Sequence, residues 1–414
     1  MRADSLIFSA AFHQVVCIIL DGVGVGEAPD AAVFGDTGSN SVANTARHVG
    51  SLRLPTLGRL GLGNIISIEG VPPDVSPAAF YGKMAPVSAG KDSTSGHWEL
   101  MGCIIPEAFP VYPSGFPRDI VEEFERRIGR KVIGNKPASG TAIIEELGET
   151  HLSTGRPILY TSQDSVFQLA AHESVIEREE LYRMCAVARS LLAGPHGVAR
   201  VIARPFAGAA AGFYRTAGRK DFSLPPPSPT VLDGLRETDV SVVAIGKIQD
   251  LFCGRGISRH VPTKSNREGI EATLDALGRA ERSFVFTNLI DFDMMWGHRN
   301  DVRAYALGLE EFDSYLRVLL EKLDTRTLLI ITSDHGNDPT TASTDHSREY
   351  VPLLVYHRGL GGVPGDRSLG IRRTFADVGR TIAENFRLGG VFPGTSFLPD
   401  IMGPNGGTTR GQLE

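Results

Sequence analysis

The sequence predicts an α/β fold: a central, mostly parallel sheet flanked by helices, with an α+β cap inserted into the chain. Three observations carry this. Short apolar runs end in acidic residues at three separate places, strand-like and helix-like patterns alternate through the second half, and proline-rich stretches bracket the insertion.

The first strand is Val15-Val-Cys-Ile-Ile-Leu, which runs straight into Asp21-Gly-Val-Gly-Val-Gly. Gly22 and Gly24 invite a dinucleotide reading, but Glu27 stands where the third glycine of that fingerprint belongs. The loop reads instead as backbone making room for a metal and a phosphate. Further along, Gly90-Lys-Asp-Ser-Thr-Ser-Gly-His-Trp-Glu only superficially resembles a phosphate loop, because Asp92 separates Lys91 from Ser93. Its three hydroxyls either cap a helix predicted over His97 to Met101 or supply a nucleophile. The N-terminus of that helix would help hold phosphate oxygens.

Pro106, Pro110, Pro113 and Pro117 then interrupt regular structure before a helix around Val121, and Leu224-Pro-Pro-Pro-Ser-Pro reads as a stiff linker. These marks predict a core of residues 1–104 and 226–414 and a cap of residues 105–225. Within the cap, a helix is predicted over Glu177 to Leu192 and strands over Pro157 to Thr161 and Ala199 to Ala203. After the linker the order is a strand over Val240 to Ile245, a helix from Arg267, a strand at Phe284, a helix from Val302 and a strand at Leu328. In the Val302 helix, Tyr305, Leu309, Phe312, Leu316, Leu319 and Leu323 recur at helical spacing, as a stripe facing the sheet would.

The acidic strand ends carry the chemistry. Asp334-His335 follows the buried run Thr327-Leu-Leu-Ile-Ile-Thr, with His346 shortly after; Asp293 and His298 follow the Ser283 strand in the same manner. Open α/β sheets place their sites at the carboxyl ends of strands, so these clusters and Asp21 are predicted to meet at one edge. Carboxylates and imidazoles together suit a two-metal phosphoryl-transfer site, where a cation stabilises the alkoxide form of an otherwise poor hydroxyl nucleophile.

Lys and Arg total 42 against 48 Asp and Glu, a mildly acidic balance that gives no ground for nucleic-acid or membrane binding. Cys17, Cys103, Cys185 and Cys253 are scattered without a C-x-x-C pair, which argues against a disulfide framework or a cysteine zinc site and fits a reducing cytoplasm. Residues 5–12 are apolar only briefly and read as an N-terminal extension. Residues 406–414 are polar and glycine-rich, and are predicted to fray.

Several of these motifs occur together in a known order: Asp21-Gly-Val-Gly-Val-Gly-Glu-Ala-Pro-Asp-Ala, Lys91-Asp-Ser-Thr-Ser-Gly-His-Trp-Glu, Gly134-Asn-Lys-Pro-Ala-Ser-Gly-Thr, Ala244-Ile-Gly-Lys-Ile, Asp291-Phe-Asp with Gly297-His-Arg, and Ser333-Asp-His-Gly-Asn-Asp. From Val15 to about Pro352 the chain resembles the prokaryotic phosphopentomutase family of the alkaline phosphatase superfamily, which implies an alkaline-phosphatase-like core. The resemblance implies one cation held by Asp21, Thr94, Asp334 and His335 and another held by Asp293, His298 and His346. It makes Thr94 the hydroxyl that carries the phosphoryl group. Substrate phosphate would meet Arg204, Arg219 and Lys247, and the pentose would meet Asp164, Ser162 and Val166. Ser93 and Ser95 stand where threonine is frequent in the family, Lys220 follows Arg219 where histidine is usual, and Ala142 replaces a common glutamate.

The implied activity is an isomerase, an intramolecular phosphotransferase interconverting α-D-ribose 1-phosphate and ribose 5-phosphate and their 2-deoxy analogues. It would run through a phosphothreonine enzyme and a pentose 1,5-bisphosphate, with two divalent cations, manganese by ligand type, and a bisphosphorylated sugar as activator. Pentose phosphates are its implied small-molecule partners, and no obligate protein partner is indicated. The cap is expected to shield the phosphoenzyme from water. Two other readings use the same residues: a phosphatase, phosphodiesterase or phosphosugar mutase of the superfamily, and a catalytically silent metal-binding protein.

Overall fold

The computed structural model describes residues 10–162, 165–210, 212–279, 282–360 and 366–402, and it separates into two compact units. The first unit comprises Met1–Glu107, Pro226–Gln249 and Gly254–Glu414; the second comprises Ala108–Pro225 and Asp250–Cys253.

The first unit is built on an eight-stranded sheet in the order Arg259–Val261, Ser241–Ile245, Ser283–Leu289, Gln14–Leu20, Thr327–Thr332, Val351–Tyr356, Phe80–Met84, Ser368–Arg372. Only Val351–Tyr356 runs against its neighbours, so the sheet is mostly parallel, as the sequence predicts. The three strands that precede acids lie side by side and are buried along their whole length, which is why they read as continuous apolar runs. Their register places Leu20 beside Leu289 and Ile19 beside Thr332, so the carboxyl ends line up. Helix Val302–Lys322 buries the predicted stripe: Tyr305, Leu309, Phe312, Leu316, Leu319 and Leu323 all belong to one apolar cluster with the strands.

One helix differs from expectation in a way that matters. The helix predicted from His97 begins at Ser93 and ends at Leu100, because the Asp92 carboxylate accepts from the backbone N–H groups of Thr94 and Ser95. An aspartate N-cap starts a helix immediately after itself. It also takes up the N–H groups of Thr94 and Ser95 in the first turn.

The second unit has its own six-stranded sheet, Ile133–Pro137, Ile158–Thr161, Val166–His172 and Arg200–Ala207 in order, with Tyr214–Arg215 and Lys220–Ser223 pairing on the last. Helices Arg118–Ile128 and Arg178–Leu191 pack one apolar cluster with this sheet, and Gly140–Thr154 another. Pro117 sits at the N-cap of Arg118–Ile128, where a missing N–H costs nothing.

Candidate metal centre

Each acidic residue is delivered by the end of a strand. Asp21 follows Gln14–Leu20, Asp334 lies two residues beyond Thr327–Thr332, and Asp293 sits in a π-helical turn, Phe292–Trp296, shortly after Ser283–Leu289. Ser333 stitches two of these ends together: its Oγ accepts from Val23 N–H and donates to the Leu20 carbonyl. The helix Ser93–Leu100 comes in against Asp334 at Gly96. Any Cβ there would overlap the Asp334 carbonyl, so only glycine permits the approach.

These ends gather two groups of metal-competent atoms, Asp21 with Asp334 and His335, and Asp293 with His335 and His346, each within 4.8 Å and all buried. His335 Nε2 lies 3.3 Å from both Asp21 Oδ1 and Asp334 Oδ2. His346 Nε2 lies 3.2 Å from Asp293 Oδ1, and His298 Nε2 3.3 Å from the same oxygen at the more exposed rim. The two groups share His335, so this geometry does not divide the ligands as cleanly as the sequence reading did. Lys247, which follows Ser241–Ile245, reaches Asp21 Oδ2 at 2.9 Å and Asp293 Oδ2 at 3.5 Å.

The electrostatics follow from three carboxylates buried together. Burial and the nearby Asp293 oppose ionisation of Asp21, yet Lys247 and His335 outweigh them and hold its carboxyl below the usual range. Burial likewise opposes Asp293, and His346, Lys247 and His298 hold it well below. For His335, burial disfavours the cation, but Asp334, Asp21 and Asp293 raise its pKa to about 10.

The donor set fits divalent cations. Asp334 Oδ2 is buried without a hydrogen-bond partner among the described residues. His335 donates from Nδ1 to the Gly336 carbonyl and His298 from Nδ1 to the Thr344 carbonyl, which turns each Nε2 toward the carboxylates. That arrangement of an outer hydrogen bond fixing an inner nitrogen is the usual one for imidazole ligands. Asn337, not anticipated from sequence, donates to Asp293 Oδ1 at 2.9 Å and is itself held by Ser41, whose hydroxyl donates to the buried Glu349.

The Ser93 hydroxyl stands at the edge of the centre. Its Oγ lies 3.1 Å from His335 Nε2 and 3.4 Å from Asp21 Oδ1. Thr94, the residue assigned by resemblance, makes no side-chain hydrogen bond among the described residues; its backbone N–H goes to Asp92. The Ser95 hydroxyl is spent on Asp92.

In the second unit, Arg204 is largely buried and donates to Gln168 Oε1 at 3.2 Å; burial, then the neighbouring Arg219, push its pKa down to about 10. Arg219 makes a two-pronged pair with Asp221, both contacts 2.8 Å. Val166 is buried at the start of its strand and Ser162 is half-buried after Ile158–Thr161. Asp164 lies outside the described residues.

Residues 13–389 match the family model described as the Metalloenzyme superfamily. The chain is 56% identical over 389 residues to the phosphopentomutase of Caldanaerobacter subterraneus subsp. tengcongensis, covering 94% of this chain and 98% of that one. It is 50% identical over 390 residues to the phosphopentomutase of Clostridium novyi, covering 94% and 99%. Among solved structures, the PH0037 protein of Pyrococcus horikoshii aligns with a TM-score of 0.48 at 15% identity, over 92% of this chain and 99% of that one.

Proposed function

Since the chain belongs to the Metalloenzyme superfamily and to the phosphopentomutases, a family of isomerases, we propose that it interconverts α-D-ribose 1-phosphate and D-ribose 5-phosphate, with 2-deoxyribose phosphates as further substrates. The observation that carries the reading is a buried Asp21, Asp334, His335, Asp293 and His346 constellation with the start of the hydroxyl-bearing helix, Ser93 and Thr94, at its edge.

Two divalent cations, manganese by the hard and borderline character of the donors, would be held by these residues with His298. When bound they would neutralise charge on the transferring phosphoryl group and on the oxygens that enter and leave. The rest falls to the chain's own side chains. The phosphorylated hydroxyl, Thr94 by the family resemblance, loses its phosphoryl group to the free hydroxyl of a pentose monophosphate, with Ser93 beside it at the edge of the ligand groups. The Oγ1–P bond breaks, a sugar O–P bond forms, and the sugar hydroxyl gives up its proton. In the second half the same Oγ1 takes the other phosphoryl group from the pentose 1,5-bisphosphate, and the freed sugar oxygen regains a proton. Atoms balance, and the net change is the position of one phosphate. A bisphosphorylated sugar would prime the unphosphorylated enzyme.

Lys247 is proposed to meet a phosphate of the substrate, exchanging its carboxylate contacts for phosphate oxygens. Arg204 and Arg219 are proposed as phosphate contacts of the second unit, and Ser162, Val166 and Asp164 as pentose contacts; these rest on the family resemblance. Arginine suits such roles because its planar fork matches phosphate oxygens.

The test is conversion of ribose 1-phosphate to ribose 5-phosphate with manganese and a pentose bisphosphate. Release of inorganic phosphate without isomerisation would move the assignment to a phosphatase. Cation binding with neither reaction would make the chain a silent metal-binding protein.

A further inference from the structure

Two buried polar side chains that belong to neither ligand group lie against the first of them. His97 is buried within the helix Ser93–Leu100, and Asn288 is the second-last residue of the strand Ser283–Leu289. Asn288 Nδ2 donates to Asp21 Oδ2 at 3.0 Å and lies 3.3 Å from His97 Nε2. One amide nitrogen can serve both partners only if Nε2 is an acceptor, so the imidazole carries its proton on Nδ1. Reversing the amide would set its oxygen against the Asp21 carboxylate, acceptor against acceptor. From the other side of the ring, Nδ1 donates to the Ser93 carbonyl at 2.8 Å and lies 3.1 Å from Asp334 Oδ2.

From this geometry we infer that His97 and Asn288 are positioning residues, a buried bridge that ties Asp21 to the backbone of Ser93 beside Asp334. The first cation site and the start of the helix that carries the Ser93 and Thr94 hydroxyls are thereby set as a unit. Their hydrogen-bond partners are the ligand Asp21 and the backbone of Ser93, whereas the second group, centred on Asp293, is held separately by Asn337. A scaffold role fits poorly, because Asn288 Oδ1 is buried with no hydrogen-bond partner among the described residues. A leucine at that strand position would avoid leaving a polar atom unsatisfied.

The inference rests on the cation reading above, and the experiment separates the two. The full chain, stripped with chelator, is titrated with manganese chloride by calorimetry without substrate, and its melting temperature is followed in parallel. Wild type should bind two ions. Asn288→Leu should weaken one binding event about 10–100-fold, the range for loss of an outer hydrogen bond to a ligand, and leave the other unchanged. Its stripped form should melt no lower than wild type. His97→Gln, which keeps a donor and an acceptor, should lose less than Asn288→Leu. Unchanged affinity at both sites, equal loss at both, or failure of both variants to fold would overturn the bridge. Wild type binding no manganese would instead sink the cation reading.

Discussion

Replacing Lys247 with methionine removes a cation while keeping the length of the side chain. The ammonium stands 2.9 Å from Asp21 and 3.5 Å from Asp293, and it is 22% exposed where the carboxylates are 0% and 5% exposed. Removing one partner of a buried pair costs about 3–5 kcal/mol because the other charge is left uncompensated. Solvent screening at the partly exposed ammonium reduces this to about 2–3 kcal/mol. In a protein of 414 residues that is a fall of about 2–4 °C in melting temperature. The assay is a thermal melt of chelator-treated wild type and Lys247→Met at neutral pH. Both carboxyls have depressed folded-state pKa values, so the stabilisation is present above their unfolded pKa and disappears as pH falls through the folded values. The gap between the two proteins should therefore narrow below about pH 4. Saturating manganese should narrow it too, since bound cations take over the same charge compensation. Equal melting temperatures in chelator at neutral pH would refute the reasoning.

His335 gives the opposite pH sign. Its folded-state pKa of about 10 lies above the ordinary 6.5, so its stabilisation is complete below the lower value and is lost as pH rises toward the upper one. Chelator-treated protein should melt lower at pH 10 than at pH 7, and His335→Gln should flatten that slope. Gly96→Ala should push the helix away from Asp334; overpacking of this sort costs about 1–3 kcal/mol, read as a lower urea midpoint. The same variant should bind manganese more weakly, and wild-type affinity in a folded Gly96→Ala protein would contradict the close approach.

The strand-then-acid pattern was legible because fully buried parallel strands must be apolar throughout and must end where polar groups can be served. The Val302 helix was legible for a related reason, since one face is buried and the spacing shows it. What the sequence concealed turned on single residues. Whether Asp92 caps the helix or merely precedes it decides where the helix that carries the hydroxyls begins, and a run of Ser-Thr-Ser carries no signal that separates the choices. His97, Asn288 and Asn337 were equally hidden as partners of ligands. Asn288 sits beside Thr287 near the end of a buried strand, where a polar amide is the one available hint, and its partners are distant in sequence. The antiparallel direction of Val351–Tyr356 likewise depends on pairing that no local pattern encodes.

The most direct test of the central claim is to incubate manganese-loaded enzyme with a radiolabelled pentose bisphosphate, locate the label by peptide mapping, and chase it with unlabelled ribose 1-phosphate. The account predicts label on Thr94 that passes into pentose phosphate, with none on a Thr94→Ala protein and label retained by Ser93→Ala. Label on Ser93 with an active Thr94→Ala enzyme would contradict the assignment of the hydroxyl. Label appearing only as inorganic phosphate, with no phosphoenzyme, would contradict the transfer itself.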